Sequence, residues 1–155
     1  MGAIQYSYLS VDRERDIIFD WDKALSFEGN SGPYIQYAYV RAKKLADEAR
    51  KRGIFPEEKN LREANLMVHD RLLIRMLAQF QEKVMLTAKT QKLHHLAVFL
   101  YELAVTLNAF YVHTPKILEE KNPEVRDFRL ALIEKTGEML KMGFRLLAID
   151  MPSEM

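Results

Sequence analysis

The sequence predicts an all-α fold, a helical bundle of four main helices. Four separate segments carry apolar residues with a period near 3.6, which is typical of helices that bury one face. Strand signals are weak, and only DIIF at residues 16–19 could form a strand. With 155 residues, of which 48% are hydrophobic, the chain is long enough for one domain with its own core.

The first main helix is predicted from Pro33 to about Arg52. Proline suits the first turn of a helix, because the N–H that it lacks has no helical partner there. Glycine is common directly after a helix end, and Gly53 stands at that position. The apolar stripe of this helix consists of Ile35, Ala38, Ala42, Leu45, Ala46 and Ala49.

Two further helices are predicted over about residues 66–90 and 92–113. The latter is the more apolar, and its period places leucine and phenylalanine residues on one face, where we expect the centre of the core. This face consists of Leu96, Phe99, Leu100, Leu103, Leu107 and Phe110.

A fourth helix is predicted over about residues 125–142, after the polar, proline-containing break EEKNPE. Gly143 is the expected end of this helix. The residues that follow, FRLLAID, are predicted to form another short helical piece.

The composition excludes several classes of protein. Without cysteine the chain has neither disulfides nor thiolate metal sites, which fits a reducing compartment. The first ten residues lack the regions of a signal peptide, and Glu102 and Asn108 interrupt the longest apolar stretch, at residues 96–112. We therefore expect a cytoplasmic protein with no membrane contact. Since the formal net charge is only +1, a nucleic-acid surface would require local clustering of basic residues.

The stretch FEGNSGPYIQYAYVR, residues 27–41, carries the most distinctive local chemistry. Its glycines do not match a nucleoside-triphosphate loop or a dinucleotide fingerprint. A helical wheel places rings and charges along one flank, beside the apolar stripe. Phenol rings beside basic groups suit stacking on unpaired bases, but such rings can equally seal the core edge while the charges are solvated. The flank consists of Tyr34, Tyr37, Arg41, Lys44, Glu48 and Arg52.

The third predicted helix offers a second group of polar side chains. Tyr101 and Asn108 lie opposite its apolar stripe, and Tyr111 lies at the margin of the stripe. An amide and two phenols can read base edges or bond to neighbouring helices, and the sequence leaves both interpretations open. The histidines of this helix lack a suitably spaced carboxylate, so no metal site is predicted. Paired carboxylates elsewhere stand in polar surroundings, and no catalytic residue is predicted.

Three blocks in chain order are DIIFDWDKALSFEGNSGPYIQYAYVRA, LYELAVTLNAFY and RLALIEKTGEMLKMGFRLLAIDMPSEM. Their order and spacing resemble the C-terminal part of an arginyl-tRNA synthetase, over nearly the whole chain from Ala3 to Met155. The resemblance implies two parts. Residues 1–30 would be the tail of the catalytic module or a connector, and residues 31–155 an α-helical anticodon-binding domain of the DALR type.

The resemblance also implies a partner and a surface that binds it. The partner is the anticodon arm of arginine tRNA, with Arg41 and Lys44 on its phosphates and splayed loop bases on the tyrosine rings. The implied tRNA surface consists of Tyr34, Gln36, Tyr37, Arg41, Lys44, Asn108, Tyr111 and, at the last position, Met155.

The catalytic signatures of that family, His-Ile-Gly-His and Lys-Met-Ser-Lys-Ser, do not occur in the sequence. We therefore interpret the chain as an excised domain of an arginine–tRNA ligase, inactive by itself. The resemblance implies that arginine and ATP with magnesium bind only in a catalytic domain outside this sequence. The alternative is a helical protein-interaction domain with no RNA role, whose tyrosines and leucine- and methionine-rich faces contact a partner helix.

Overall fold

A computed structural model describes residues 2–57 and 66–154 of the chain. All regular structure within these residues is helical, which confirms the all-α prediction, and residues 16–19 are irregular instead of forming a strand. The helices are α1 (Gly2–Leu9), α2 (Trp21–Leu25), α3 (Gly32–Lys51), α4 (Val68–Thr90), α5 (His94–His113) and α6 (Pro123–Leu146), with a short 3-10 helix (Ile117–Glu119) between α5 and α6.

The glycine-rich turn before α3 is a helix cap. The Ser31 hydroxyl accepts a hydrogen bond of 3.2 Å from the Tyr34 N–H, and Pro33 occupies the first turn, as its sequence position predicts. At the other end Gly53 has a φ of +69°, the left-handed conformation that favours glycine after a helix. The bounds of α3 therefore agree with the prediction to within about one residue.

Helix α5 lies at the centre of the bundle and packs against α3, α4 and α6. By length and mean hydropathy alone, residues 94–119 could cross a membrane, and 44% of the most apolar window of this segment is buried inside the protein. All six leucine and phenylalanine residues predicted for the apolar face of α5 are buried, which confirms that face as the centre of the core.

The prediction that Gly143 ends the fourth helix is wrong. Helix α6 continues through Gly143 to Leu146, and the chain turns only afterwards, with Ala148 at a φ of +56°. The predicted separate helix over FRLLAID is therefore wrong as well, since its first three residues belong to α6. The reason for a glycine here is close packing, because a Cβ at Gly143 would clash with the buried side chain of Leu100 in α5.

We expect Gly143→Ala to lower the free energy of unfolding by at least about 1 kcal/mol, because the new methyl group displaces the buried Leu100 side chain. Gly137→Ala is the matched control in the same helix, since its Cβ would lie at an ordinary 3.5 Å from Cβ of Ala42. Alanine favours helix, so this control is expected to be neutral or to stabilise by up to about 1 kcal/mol. Urea denaturation measures the free energy of unfolding of both variants. If Gly143→Ala is as stable as Gly137→Ala, Leu100 moves aside without cost.

The N-terminal segment packs onto the bundle through Tyr6, which is fully buried. Its ring lies parallel to that of Phe144 in α6, with the centroids 5.9 Å apart. Its hydroxyl lies 2.9 Å from the Ala97 carbonyl oxygen in α5 and 2.6 Å from the side-chain oxygen of Asn30. Helices α1 and α2 are short and were not expected from the sequence. A boundary between residues 30 and 31 stays a prediction.

Candidate nucleic-acid interface

A cleft of about 470 Å³ separates α3 from the C-terminal end of α5 and the 3-10 helix. We term it the α3–α5 cleft. Four of the six residues predicted for the flank of α3 line it, because positions three and four apart on a helix share one face. The cleft is lined by Arg41, Lys44, Leu45, Glu48, Arg52, Tyr111, Thr114, Pro115, Lys116, Ile117, Leu118 and Glu119.

At the centre of this cleft, the guanidinium carbon of Arg41 lies 4.2 Å from the centroid of the Tyr111 ring. This is a cation–π contact between α3 and α5, in which the flat guanidinium covers one face of the phenol ring. The ring thereby holds the otherwise exposed Arg41 side chain in the cleft.

The Tyr111 hydroxyl is a buried donor. Burial raises the pKa of the phenol and outweighs the opposing effect of the Arg41 charge, so the hydroxyl keeps its proton at neutral pH. Its oxygen atom is buried and has no hydrogen-bond partner among the described residues. A buried polar atom of this kind is normally satisfied by a water or a ligand.

The charges of the cleft are partly neutralised within the protein. Arg52 pairs with Glu48 at 2.8 Å, and Lys116 pairs with Glu119 at 3.3 Å. In the part of the chain that the structure describes, Arg41 and Lys44 have no carboxylate oxygen within 4.0 Å. These two cations are therefore available to an external anion such as a phosphate.

The aromatic residues of the predicted flank differ in their surroundings. Tyr37 lies one turn before Arg41 and is 48% exposed, so its ring is open to a ligand. Tyr34 is half-buried against the core, and its ring centroid lies 5.5 Å from that of Tyr101. The two interpretations of the flank therefore separate by residue: Tyr34 seals the core edge, whereas Tyr37 is on the surface.

Gln36 and Asn108 also differ in their contacts. The Gln36 amide donates a hydrogen bond of 3.0 Å to the Asp150 carbonyl in the C-terminal segment. Asn108 lies one turn before Tyr111 on α5 and does not line the cleft, but its side-chain oxygen is buried and lacks a hydrogen-bond partner within the described ranges. Met155, the last predicted site residue, lies outside the described residues.

Sequence patterns did not indicate the wall of the cleft that follows α5. Thr114, Pro115, Lys116 and Leu118 belong to the connection between α5 and α6, and only the tertiary fold brings them opposite α3. The one local signal is Pro115, which is typical of the residues just beyond a helix end and so turns the chain back here.

The histidines of α5 do not line this cleft. His94 Nε2 is 3.9 Å from a carboxylate oxygen of Asp12, which also accepts a hydrogen bond of 3.0 Å from Lys92. Among residues 2–57 and 66–154, no group of three or more histidine, aspartate or glutamate side chains is placed to hold a metal ion.

Comparison with known proteins gives one consistent result. The sequence profile of the DALR anticodon binding domain matches residues 35–155. The arginine–tRNA ligase of Hamiltonella defensa is 40% identical over 152 residues, which cover 97% of this chain and 25% of the ligase. The arginine–tRNA ligase of Pasteurella multocida is 37% identical over 158 residues, which cover 100% of this chain and 27% of the ligase. The structure of Thermus thermophilus arginyl-tRNA synthetase superimposes with a TM-score of 0.87 and 33% identity, over 99% of this chain and 26% of the synthetase. The chain thus spans about a quarter of the length of the relatives that it matches.

Proposed function

This chain belongs to the family of DALR anticodon-binding domains, and we propose that it binds the anticodon arm of arginine tRNA. In a full-length ligase, this binding would place the acceptor end of the tRNA in a catalytic site for ATP-dependent arginylation. The observation that carries the proposal is the α3–α5 cleft, where Arg41 and Lys44 stand beside Tyr111 with its buried hydroxyl. The exposed Tyr37 ring lies outside this cleft, one turn before Arg41 on α3. Neither the family match nor the relatives support the alternative of a protein-interaction domain with no RNA role.

The proposed binding mode divides the surface into phosphate contacts and base contacts. Arg41 and Lys44 neutralise phosphates of the anticodon arm, and each phosphate contact releases bound counterions from the RNA. An unstacked loop base stacks on Tyr37. The Tyr111 ring supports the Arg41 guanidinium from behind and so holds it in place for its phosphate contact.

Hydrogen bonds to base edges come from the buried polar atoms of α5. The protonated Tyr111 hydroxyl donates to a base oxygen or nitrogen in the cleft. Asn108 lies outside the cleft, and its amide offers a donor and an acceptor to a part of the loop that extends past Tyr111 along α5. Tyr34 and Gln36 have supporting roles in this binding mode, since one packs against Tyr101 and the other holds the C-terminal segment.

ATP, magnesium and arginine would bind elsewhere in the longer protein. The described residues offer no group suited to a metal ion, and the turn before α3 caps a helix through Ser31. In this proposal, the domain binds and orients the tRNA in the cytoplasm, where translation takes place.

Filter binding of arginine tRNA and of a non-cognate tRNA at two salt concentrations tests the proposal. We expect tighter binding of arginine tRNA, and a steep loss of affinity for both RNAs as the salt concentration rises. A chain that binds neither RNA would be a protein-interaction domain instead.

We expect Arg41→Ala and Lys44→Ala to weaken the binding of arginine tRNA and of a non-cognate tRNA by similar factors, because phosphates carry no sequence information. Each variant should also make the salt dependence of the binding constant shallower by up to about one unit on a log–log scale. The control is Lys89→Ala, which removes an exposed cation on α4. An unchanged salt slope in both α3 variants would mean that this face does not contact the RNA backbone.

A further inference from the structure

The C-terminal segment that follows α6 is anchored along α3. Ile149 is buried, and its N–H donates a hydrogen bond of 2.9 Å to the Phe144 carbonyl. One residue later, the Asp150 carbonyl accepts a hydrogen bond from the Gln36 side chain, near the start of α3. These contacts fix the direction in which residues 150–154 leave the bundle.

This segment and α3 form the two walls of a second cleft of about 550 Å³, which we term the tail cleft. Lys44 borders both this cleft and the α3–α5 cleft, so an extended ligand that crosses α3 at Lys44 would contact both. The tail cleft is lined by Lys43, Lys44, Asp47, Lys51, Ser153 and Glu154.

The charges of the tail cleft are unevenly neutralised. Asp47 accepts a hydrogen bond of 3.1 Å from Lys43, and this bond holds the pKa of the Asp47 carboxyl below its usual value. Lys44 and Lys51 have no carboxylate oxygen within 4.0 Å among the residues that the structure describes, and Glu154 has no ion-pair partner among them either. Within residues 2–57 and 66–154, the cleft therefore presents two uncompensated cations on α3 and one uncompensated side-chain carboxylate on the tail.

We propose that the RNA backbone continues from Lys44 into the tail cleft, where Lys51 binds a further phosphate and Glu154 opposes it. This inference rests on the proposed function, since it extends the path of the same RNA strand across α3. Lys44 and Lys51 are seven residues apart, which places them on one face of the helix with a separation of about 10 Å along its axis.

The opposing effect of Glu154 follows from the range of electrostatic interactions. Exposed charges interact over about 8–10 Å at physiological ionic strength, and Lys51 and Glu154 line the same cleft. A carboxylate on the tail wall therefore repels a phosphate on Lys51. The residue at position 154 would then set how strongly the domain holds its RNA.

Three single variants of the 155-residue chain test the inference by binding to arginine tRNA over a series of salt concentrations. We expect Lys51→Ala to weaken binding about three- to tenfold at low salt, with a salt slope shallower by up to about one unit. Glu154→Gln should tighten binding about two- to threefold by removing the repulsion. Glu154→Lys should tighten it further and make the slope steeper by up to about one unit.

Lys89→Ala and Glu82→Gln are the matched controls for Lys51→Ala and Glu154→Gln. They change the charge in the same way at two exposed residues of α4. The inference is overturned if Lys51→Ala and both Glu154 variants bind like these controls while Arg41→Ala still weakens binding, a result that leaves the proposed function intact. If the unaltered chain binds no tRNA at all, the proposed function fails, and the inference about the tail cleft fails with it.

Discussion

Replacing Tyr6 with alanine is expected to lower the free energy of unfolding by about 3–5 kcal/mol, which is the usual cost of truncating a buried aromatic ring. Tyr6 is 0% exposed, stacks on Phe144 in α6 and lies within hydrogen-bond distance of the Ala97 carbonyl in α5. The substitution therefore removes the side chain that joins α1 to the two helices at the centre of the fold. Urea denaturation followed by circular dichroism would measure the loss.

Two control variants distinguish the contribution of the Tyr6 ring from that of its hydroxyl group and from that of a more exposed ring in the same helix. Tyr6→Phe keeps the ring and should cost only about 0.5–1.5 kcal/mol, for one hydrogen bond. Tyr8→Ala removes a ring of the same helix that is 48% exposed and that stacks, among the described residues, on Phe19 alone. Its cost should therefore be much smaller. If Tyr6→Ala costs no more than Tyr8→Ala, the packing of Tyr6 does not stabilise the bundle, and residues 1–30 act as the tail or connector that the resemblance implies.

The sequence predicted the long helices well because local periodicity determines them. The apolar face of α5 and the start of α3 at Pro33 both follow from residues within a few positions of each other. Gly143 was misinterpreted because a glycine near the end of an apolar pattern resembles a helix stop, whereas its actual role depends on Leu100 in another helix. Helix α2 has only five residues, too few for periodicity to show.

The candidate site was likewise predictable only where it depends on residues that are close together in the chain. The wheel placed Arg41 and Lys44 on one flank of α3, and the structure finds both in the α3–α5 cleft. The contact of Arg41 with Tyr111, 70 residues further along the chain, has no local signal. Neither has the buried ion pair between Asp70 and Arg129, at 3.2 Å, which joins α4 to α6. Long-range pairs of this kind depend on how the helices cross, which periodicity does not determine.

Replacing Tyr37 with alanine is expected to weaken the binding of arginine tRNA by about 1–3 kcal/mol, the cost of one lost base stack, with little change in melting temperature. The ring is 48% exposed, so the folded domain depends on it only weakly. Tyr34→Ala is the matched control three residues earlier, because its half-buried ring packs against Tyr101. It should lower the melting temperature and change the affinity of the folded protein less than Tyr37→Ala does.

Replacements of Tyr111 test whether the α3–α5 cleft reads a base. Tyr111→Ala should lower both stability and affinity, because the ring packs against the core and supports Arg41. Tyr111→Phe is more informative, since it keeps the ring and removes only an oxygen that finds no partner within residues 2–57 and 66–154. The free energy of unfolding should therefore stay the same or rise, whereas affinity for arginine tRNA should fall by up to about tenfold, the value of one hydrogen bond. Unchanged affinity in both Tyr111→Phe and Tyr37→Ala would assign the two rings to packing, and binding at this face would then rest on the phosphate contacts of Arg41 and Lys44 alone.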